Sequence, residues 1–284
     1  MTVVEYLGPE GTFAHAATDL LRTVGHDGPA PSVDLVPRAT VAEIIHDVDD
    51  GRCDHGLVPI ENSVDGGVTG TIDVLVFETE RVRLREEVVV PVSFGAHRRA
   101  EFADQPMTTV LSHPVGLAQC RRFAARHGLD VRSTDSTAEA CRAVAASADP
   151  GLVAVASAKA AALAGLVTVE HGVEDHPGAS TRFALVSCAG VGPTGDDKTT
   201  IVVIPPSEGV GVLLGILQPI SEAGVNISNI TSRPLRPRLG EYCFVLTLDR
   251  HETDPGVVEA LARLRGSGCT VRPLGSYPAW RGER

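Results

Sequence analysis

The sequence predicts an α/β protein built as two units, and three observations carry that prediction. Short β-rich runs alternate with amphipathic stretches over roughly the first 190 residues, which argues an α/β domain with mostly parallel sheets. The segment from Gly190 to Asp197, GVGPTGDD, combines Gly, Pro and acidic residues without periodicity and reads as a linker. Beyond it, strand, helix, strand, strand, helix and strand fit into about 80 residues, the ferredoxin-like βαββαβ arrangement.

Taken in order, Thr2 to Leu7 reads as a strand, and Phe13 to Val24 as a helix with Ala14, Ala17, Leu20 and Leu21 on one face. A helix-like Val41 to Asp50 precedes a second strand, His55 to Ile60. The run Leu84 to Phe94 is a long strand, and Pro91 inside it suggests an edge or a crossing between lobes. Val115 to His127 reads as one helix ending at Gly128. Ser136-Thr-Ala-Glu139 is a capping box, and its helix stops before Asp149-Pro-Gly. Strand, Ala-rich helix and strand follow at Leu152–Val155, Ala158–Ala164 and Arg182–Ser187. After the linker come Thr199–Ile204, Val212–Ala223, Val225–Ser232, Tyr242–Asp249, Pro255–Arg265 and Cys269–Leu274. TTIVVI and YCFVLTL are β-branched or aromatic, as strands require.

Composition excludes several function classes. The formal charge of −11 makes the chain a poor non-specific ligand for nucleic acid or anionic membrane, because both need surplus positive charge. No apolar run is long enough to span a bilayer, and no export signal is evident in the first 20 residues, so the expected location is cytoplasmic. The Cys residues show no C-x-x-C spacing, so neither a disulfide framework nor a zinc site is expected. Only Lys159 and Lys198 are lysine.

Four polar clusters sit where strands end. Gly8-Pro-Glu-Gly-Thr-Phe13 turns a strand into a helix, and glycines there let N–H groups face an anion; the same residues also suit an ordinary tight βα turn. Pro59-Ile-Glu-Asn-Ser63 lies at a strand's C-terminal end, where open α/β sheets place ligands. Ser112-His113-Pro114 is the third, and Ser180-Thr-Arg-Phe183 the fourth, with an Arg fork beside a Thr hydroxyl. A metal reading of Glu170, His171, Glu174 and His176 matches no standard ligand spacing.

Together and in this order the clusters resemble one family, the prephenate dehydratases. YLGPEGTF (6–13), VPIENSVDGG (58–67) with TIDVL (71–75), LSHPVGLAQC (111–120), DSTAEA (135–140) and TRF (181–183) all fall at the family's spacings. The last unit resembles the family's ACT regulatory domain, with Thr231-Ser-Arg-Pro234 where relatives carry E-S-R-P. The mutase segment fused to some relatives is not expected ahead of Tyr6.

The resemblance implies a two-lobed catalytic domain over 1–190, similar to type 2 periplasmic binding proteins. Its lobes would be about 1–84 with 167–190, and 85–166; the ACT domain would cover 198–276. The implied reaction takes prephenate to phenylpyruvate, water and CO₂. Aromatisation drives it, so no cofactor and no metal is implied. The resemblance places Thr181 at the departing hydroxyl, as a donor or proton relay, with His113 as the second catalytic candidate. Arg182 and the N–H groups around Gly11 and Thr12 are expected to receive carboxylates; Asn62, Ser63, Ser112 and Phe183 complete the substrate set, and Glu61 would hold its loop. It further implies a homodimer or homotetramer binding an amino acid, L-phenylalanine first, at Gly211, Val212, Leu213, Leu214, Thr231, Ser232, Arg233 and Pro234. Val212 replaces the family's alanine and Thr231 its acidic residue, so the expectation is weakened phenylalanine binding. Three alternatives remain on these residues: arogenate as substrate, a decarboxylase that keeps the ring hydroxyl, and a binding protein without catalysis.

Overall fold

The computed structural model describes residues 2–24, 33–235 and 240–282. The chain opens with β1 (Thr2–Leu7), α1 (Phe13–Val24), β2 (Val33–Arg38), α2 (Val41–Asp49), β3 (His55–Asn62), the two-residue β4 (Gly66–Gly67), α3 (Thr69–Phe77) and β5 (Arg83–Pro91). Thr12 Oγ1 accepts the His15 N–H at the start of α1, and Ala14 and Ala17 are buried beneath it. A reciprocal Thr40–Glu43 capping box fixes the start of α2, whose Ile44, Ile45 and Val48 are buried. Burying each such side chain contributes about 1.5–3 kcal/mol.

The chain then crosses into a second lobe. This comprises β6 (Gly95–Arg98), β7 (Thr109–Ser112), α4 (Pro114–Gln119), α5 (Arg121–His127), β8 (Asp130–Ser133), α6 (Thr137–Ala146), β9 (Leu152–Ala156), α7 (Ala158–Leu163) and β10 (Val167–His171). It returns to the first lobe as β11 (Ser180–Ser187). The first sheet runs β2-β1-β3-β11-β5 with β4 on β3, and the second β10-β6-β9-β7-β8. The first-lobe sheet is parallel only at β2-β1-β3, since β11 runs antiparallel to both β3 and β5.

Two expectations are corrected here. The expected lobe boundaries shift at both crossings. β5 stays paired with β11 in the first lobe, so the outward crossing falls between Pro91 and Gly95 and not at 84/85. The strand at 167–171 belongs to the second lobe, where β10 pairs antiparallel with β6, so the return crossing falls between His171 and Ser180. The single helix expected over 115–127 is broken at Cys120, whose φ of −127° and ψ of 31° are not helical. The break is held from a distance. The Asp175 carboxylate accepts the N–H groups of Arg121 and Arg122, and its own N–H donates to Gln119 O.

The last unit is β12 (Asp197–Ile204), α8 (Val212–Glu222), β13 (Ile227–Pro234), β14 (Tyr242–Leu248), α9 (Pro255–Gly266) and β15 (Thr270–Pro278), with strand order β13-β14-β12-β15. Both helices lie on one face, over Ile201, Val203, Leu246 and Leu248. The other face carries Val202, Cys243, Val245, Leu274 and Tyr277, which share one core cluster with Ile44, Val74, Leu75 and Val186 of the first lobe. Strand alternation therefore lets one four-stranded sheet serve its own core and dock on its neighbour. Arg272 reinforces the joint by donating to the carbonyls of Leu75, Val76 and Thr79 at the end of α3.

Candidate active site

A cavity of about 380 Å³ lies between the two lobes. The first lobe supplies Thr12 and Phe13 from the start of α1, Pro59 and Asn62 from β3, and Thr181 and Phe183 from β11. The second supplies Phe94, His113 and Gln119, with Asp135, Ser136 and Thr137 at the start of α6. The lobes also touch directly. Ser157 Oγ donates to Gly11 O, Gln119 Nε2 to Asp65 Oδ2 at 2.9 Å, and Lys159 pairs with Asp19.

A bulge makes the first-lobe wall. β11 pairs with β3 as Thr181↔Asn62 and Arg182↔Glu61, then slips so that Phe183 meets Pro59. Pro59 and Asn62, three residues apart, thereby both line the cavity, an arrangement a regular strand forbids. Across this wall Asn62 Nδ2 donates to Thr181 Oγ1 at 3.0 Å. Asn62 Oδ1 accepts the N–H groups of Val64 and Asp65, which sets the amide's orientation. Thr181, 9% exposed, thus receives a hydrogen bond and keeps its own proton to give.

His113 is similarly constrained. Its Nδ1 accepts the Val115 N–H at 3.3 Å, which puts the proton of the neutral ring on Nε2. Burial pulls its pKa below the usual value, and Asp135 only partly opposes this.

The expected substrate set divides. Thr12, Asn62, His113, Thr181 and Phe183 line the cavity. Ser112 does not, because its buried Oγ donates to Val155 O. Ser63 Oγ accepts the Ser180 N–H and ties the ends of β3 and β11. Gly11, at φ +89°, donates its N–H to His15 Nδ1, and a Cβ there would lie 3.0 Å from Ala160 Cα, so its place is the lobe contact. Arg182 is the main correction. Its neighbours Thr181 and Phe183 face the cavity, so alternation turns it to the other side of the sheet. There its guanidinium bridges Glu61 and Glu87 at 3.0 and 2.6 Å. Among the described residues, no arginine or lysine lines the cavity.

Sequence reading passed over Phe94, Gln119 and the α6 start as contributors to the cavity. The available signal was that Gln119 and Asp135 to Thr137 lie in LSHPVGLAQC (111–120) and DSTAEA (135–140), both at strand-to-helix junctions. No cluster of three or more His, Cys, Asp or Glu able to hold a metal occurs among the described residues. Glu170 of the metal reading instead contacts Arg126 and His127.

On the regulatory unit, Gly211 has φ +86° before α8, and Val210, Leu213, Leu214, Ile230 and Tyr242 are exposed apolar residues. Thr231 Oγ1 donates to Asn229 Oδ1. Arg233 is corrected as an effector residue. It faces the first lobe and forms two hydrogen bonds of 2.7 Å with Asp73 of α3.

Two lobes of α/β structure closing on a polar cleft, with a βαββαβ unit docked behind one lobe, define a cleft enzyme with an appended regulatory domain. The comparisons give the class its family. The profile of prephenate dehydratase matches residues 4–190 and that of the ACT domain residues 191–266. A prephenate dehydratase of Mycobacterium tuberculosis is 36% identical, covering 98% of this chain and 87% of that one. The crystal structure of prephenate dehydratase in complex with L-Phe from Arthrobacter aurescens is 36% identical with a TM-score of 0.84, covering 98% of this chain and 90% of that one. A structure described as a novel type of quorum quenching acylase is 27% identical with a TM-score of 0.83, covering 98% of each chain. The chain belongs to the prephenate dehydratase family. It is a prephenate dehydratase with an ACT domain, a hydro-lyase forming phenylpyruvate. No helix among the described residues is long and apolar enough to cross a membrane.

Proposed function

We propose that Thr181, oriented by Asn62, donates a hydrogen bond to the ring hydroxyl of prephenate as it leaves. The observation that carries this reading is the Asn62–Thr181 hydrogen bond on the cleft wall. The C–C bond to the ring carboxylate breaks and releases CO₂; its electron pair enters the ring, and the C–O bond breaks to hydroxide, which takes a proton to become water. The Thr181 proton meets the oxygen where its charge develops. The neutral His113 Nε2–H is a second donor on the opposite wall.

Both carboxylates meet neutral donors in this reading. With no Arg or Lys of the described residues on the wall, the N–H groups opening α1 and α6 are the positive ends offered to a dianion. The sign of pH dependence follows from His113. Its pKa lies below the ordinary value, so the ring is already neutral at pH 7 and loses no charge as pH rises. kcat/KM should stay flat from about pH 7 to about pH 8.5; a rate that instead climbs as pH falls below about 6.5 would mean His113 works as a cation.

The exposed apolar residues around the start of α8 and the edge strand β13 support pairing of two such units, with L-phenylalanine as effector in a dimer or tetramer. A cytoplasmic location fits this biosynthetic role. Incubation of the purified protein with prephenate and with arogenate tests the assignment. Phenylpyruvate from prephenate is the expected product. Turnover of arogenate alone would move the substrate, and retention of the ring hydroxyl would replace dehydration by simple decarboxylation.

A further inference from the structure

The strand pair that presents Asn62 and Thr181 to the cleft has a reverse face, and the regulatory domain occupies it. Arg182 and Glu61 sit opposite each other there, one residue from Thr181 and Asn62 on the same two strands. Arg182 Nε donates to Glu61 Oε2 at 3.0 Å and Nη1 to Glu87 Oε2 at 2.6 Å, so one guanidinium ties β3 and β5 across β11. Glu87 is 2% exposed and also accepts Lys198 Nζ at 2.8 Å and the Trp280 N–H at 2.9 Å. Lys198 belongs to β12 of the regulatory domain. From β13, Asn229 Nδ2 reaches Glu61 Oε1 at 3.5 Å.

We propose that the chain Lys198–Glu87–Arg182–Glu61 is a positioning element through which the regulatory domain sets the geometry of the Asn62–Thr181 pair. The proposal rests on the reading of Thr181 as the donor to the leaving hydroxyl. Its physical basis is local. The β11–β3 ladder slips between Arg182 and Phe183, beside the reactive pair, so backbone bonding alone holds the register weakly there. The side-chain fork supplies the missing constraint. Two cations and two carboxylates balance within it, and a buried carboxylate with three donors has little freedom to move. Movement of β12 against the first lobe displaces Lys198, shifts Glu87 and releases Arg182 from one of its two partners. Thr181 is the next residue, and small errors in placing a donor cost rate more than binding. Arg182 and Lys198 are thus positioning residues that touch no substrate.

The test uses the full chain. Lys198→Met keeps the aliphatic stem and removes the charge. It should lower kcat about tenfold while KM for prephenate stays within about twofold, and Lys198→Arg should restore most of the rate. Arg182→Lys should also lower kcat about tenfold, and the double variant Lys198→Met/Arg182→Lys should be no slower than the slower single one. Phenylalanine should still bind Lys198→Met by calorimetry yet change its kcat little. Multiplying losses in the double variant, a rise in KM with kcat intact, or full inhibition of Lys198→Met would each overturn the proposal. Failure of the underlying reading shows separately, as Thr181→Val keeping its rate with the ion chain intact.

Discussion

Thr181→Val should lower kcat for prephenate about 10²- to 10³-fold, with KM within about threefold of the unsubstituted enzyme and the melting temperature little changed. Valine replaces the hydroxyl by a methyl of similar size, so the wall between β3 and β11 keeps its shape. The substrate loses one donor, at the atom where hydroxide-like charge accumulates. That donor matters little in the ground state, where the ring hydroxyl is neutral, and much in the transition state, which is why the loss falls on kcat. Asn62 Nδ2 loses its acceptor as well. Asn62 is only half-buried, so water can take that place, and the stability cost lies at the low end of about 1–3 kcal/mol. Thr181→Ser, which restores the donor, should recover most of the rate. A Thr181→Val enzyme at near-normal kcat would place the leaving oxygen elsewhere in the cleft.

The parts of this site legible in the sequence are those governed by local rules. Strand ends at Leu7, Asn62 and Ser112 announced themselves through Gly, Asn, Ser and Pro, and the structure brings the ends of β1 and β3 and the start of α4 to one cleft. The ACT unit was legible because TTIVVI and YCFVLTL have no competing helical pattern. Arg182 was misplaced although the correcting rule was available. Thr181 and Arg182 are adjacent on a strand and cannot both face one cavity, so choosing Thr181 already turns Arg182 away. Other misses had no local signal. Asp175 caps α5 from another part of the chain, Asp73 holds Arg233 across 160 positions, and β10 chose its sheet by pairing with an edge. The lysines show the same limit. Only two exist, and each pairs across a boundary, Lys159 with Asp19 between lobes and Lys198 with Glu87 between domains.

Gly275→Ala should be the most damaging single-methyl change at the domain joint. Gly275 lies in β15 at φ +136°, a backbone conformation that L side chains rarely adopt. A Cβ there would stand 2.3 Å from Leu84 O and 2.7 Å from Leu84 N. Those are backbone atoms of β5, which is paired with β11 through Leu84↔Val186, so they cannot step aside as a side-chain tip would. The regulatory sheet must lift, and what it lifts from is the shared core of Val202, Leu274 and Tyr277 with Leu75 and Val186, together with the Arg272 contacts to α3. Strain and lost packing together predict about 2–4 kcal/mol of destabilisation. They also predict a melt that separates into two steps as the domains uncouple, and faster proteolysis within residues 190–197. Gly190→Ala is the matched control, because its Cβ meets nothing within 4 Å and its φ is ordinary. If Gly275→Ala melts in one transition at the control's temperature, the two sheets are not held as closely as this joint requires. If it instead separates, the lifted domain also takes Lys198 from Glu87, and kcat should fall with the docking although no residue lining the cleft has been replaced.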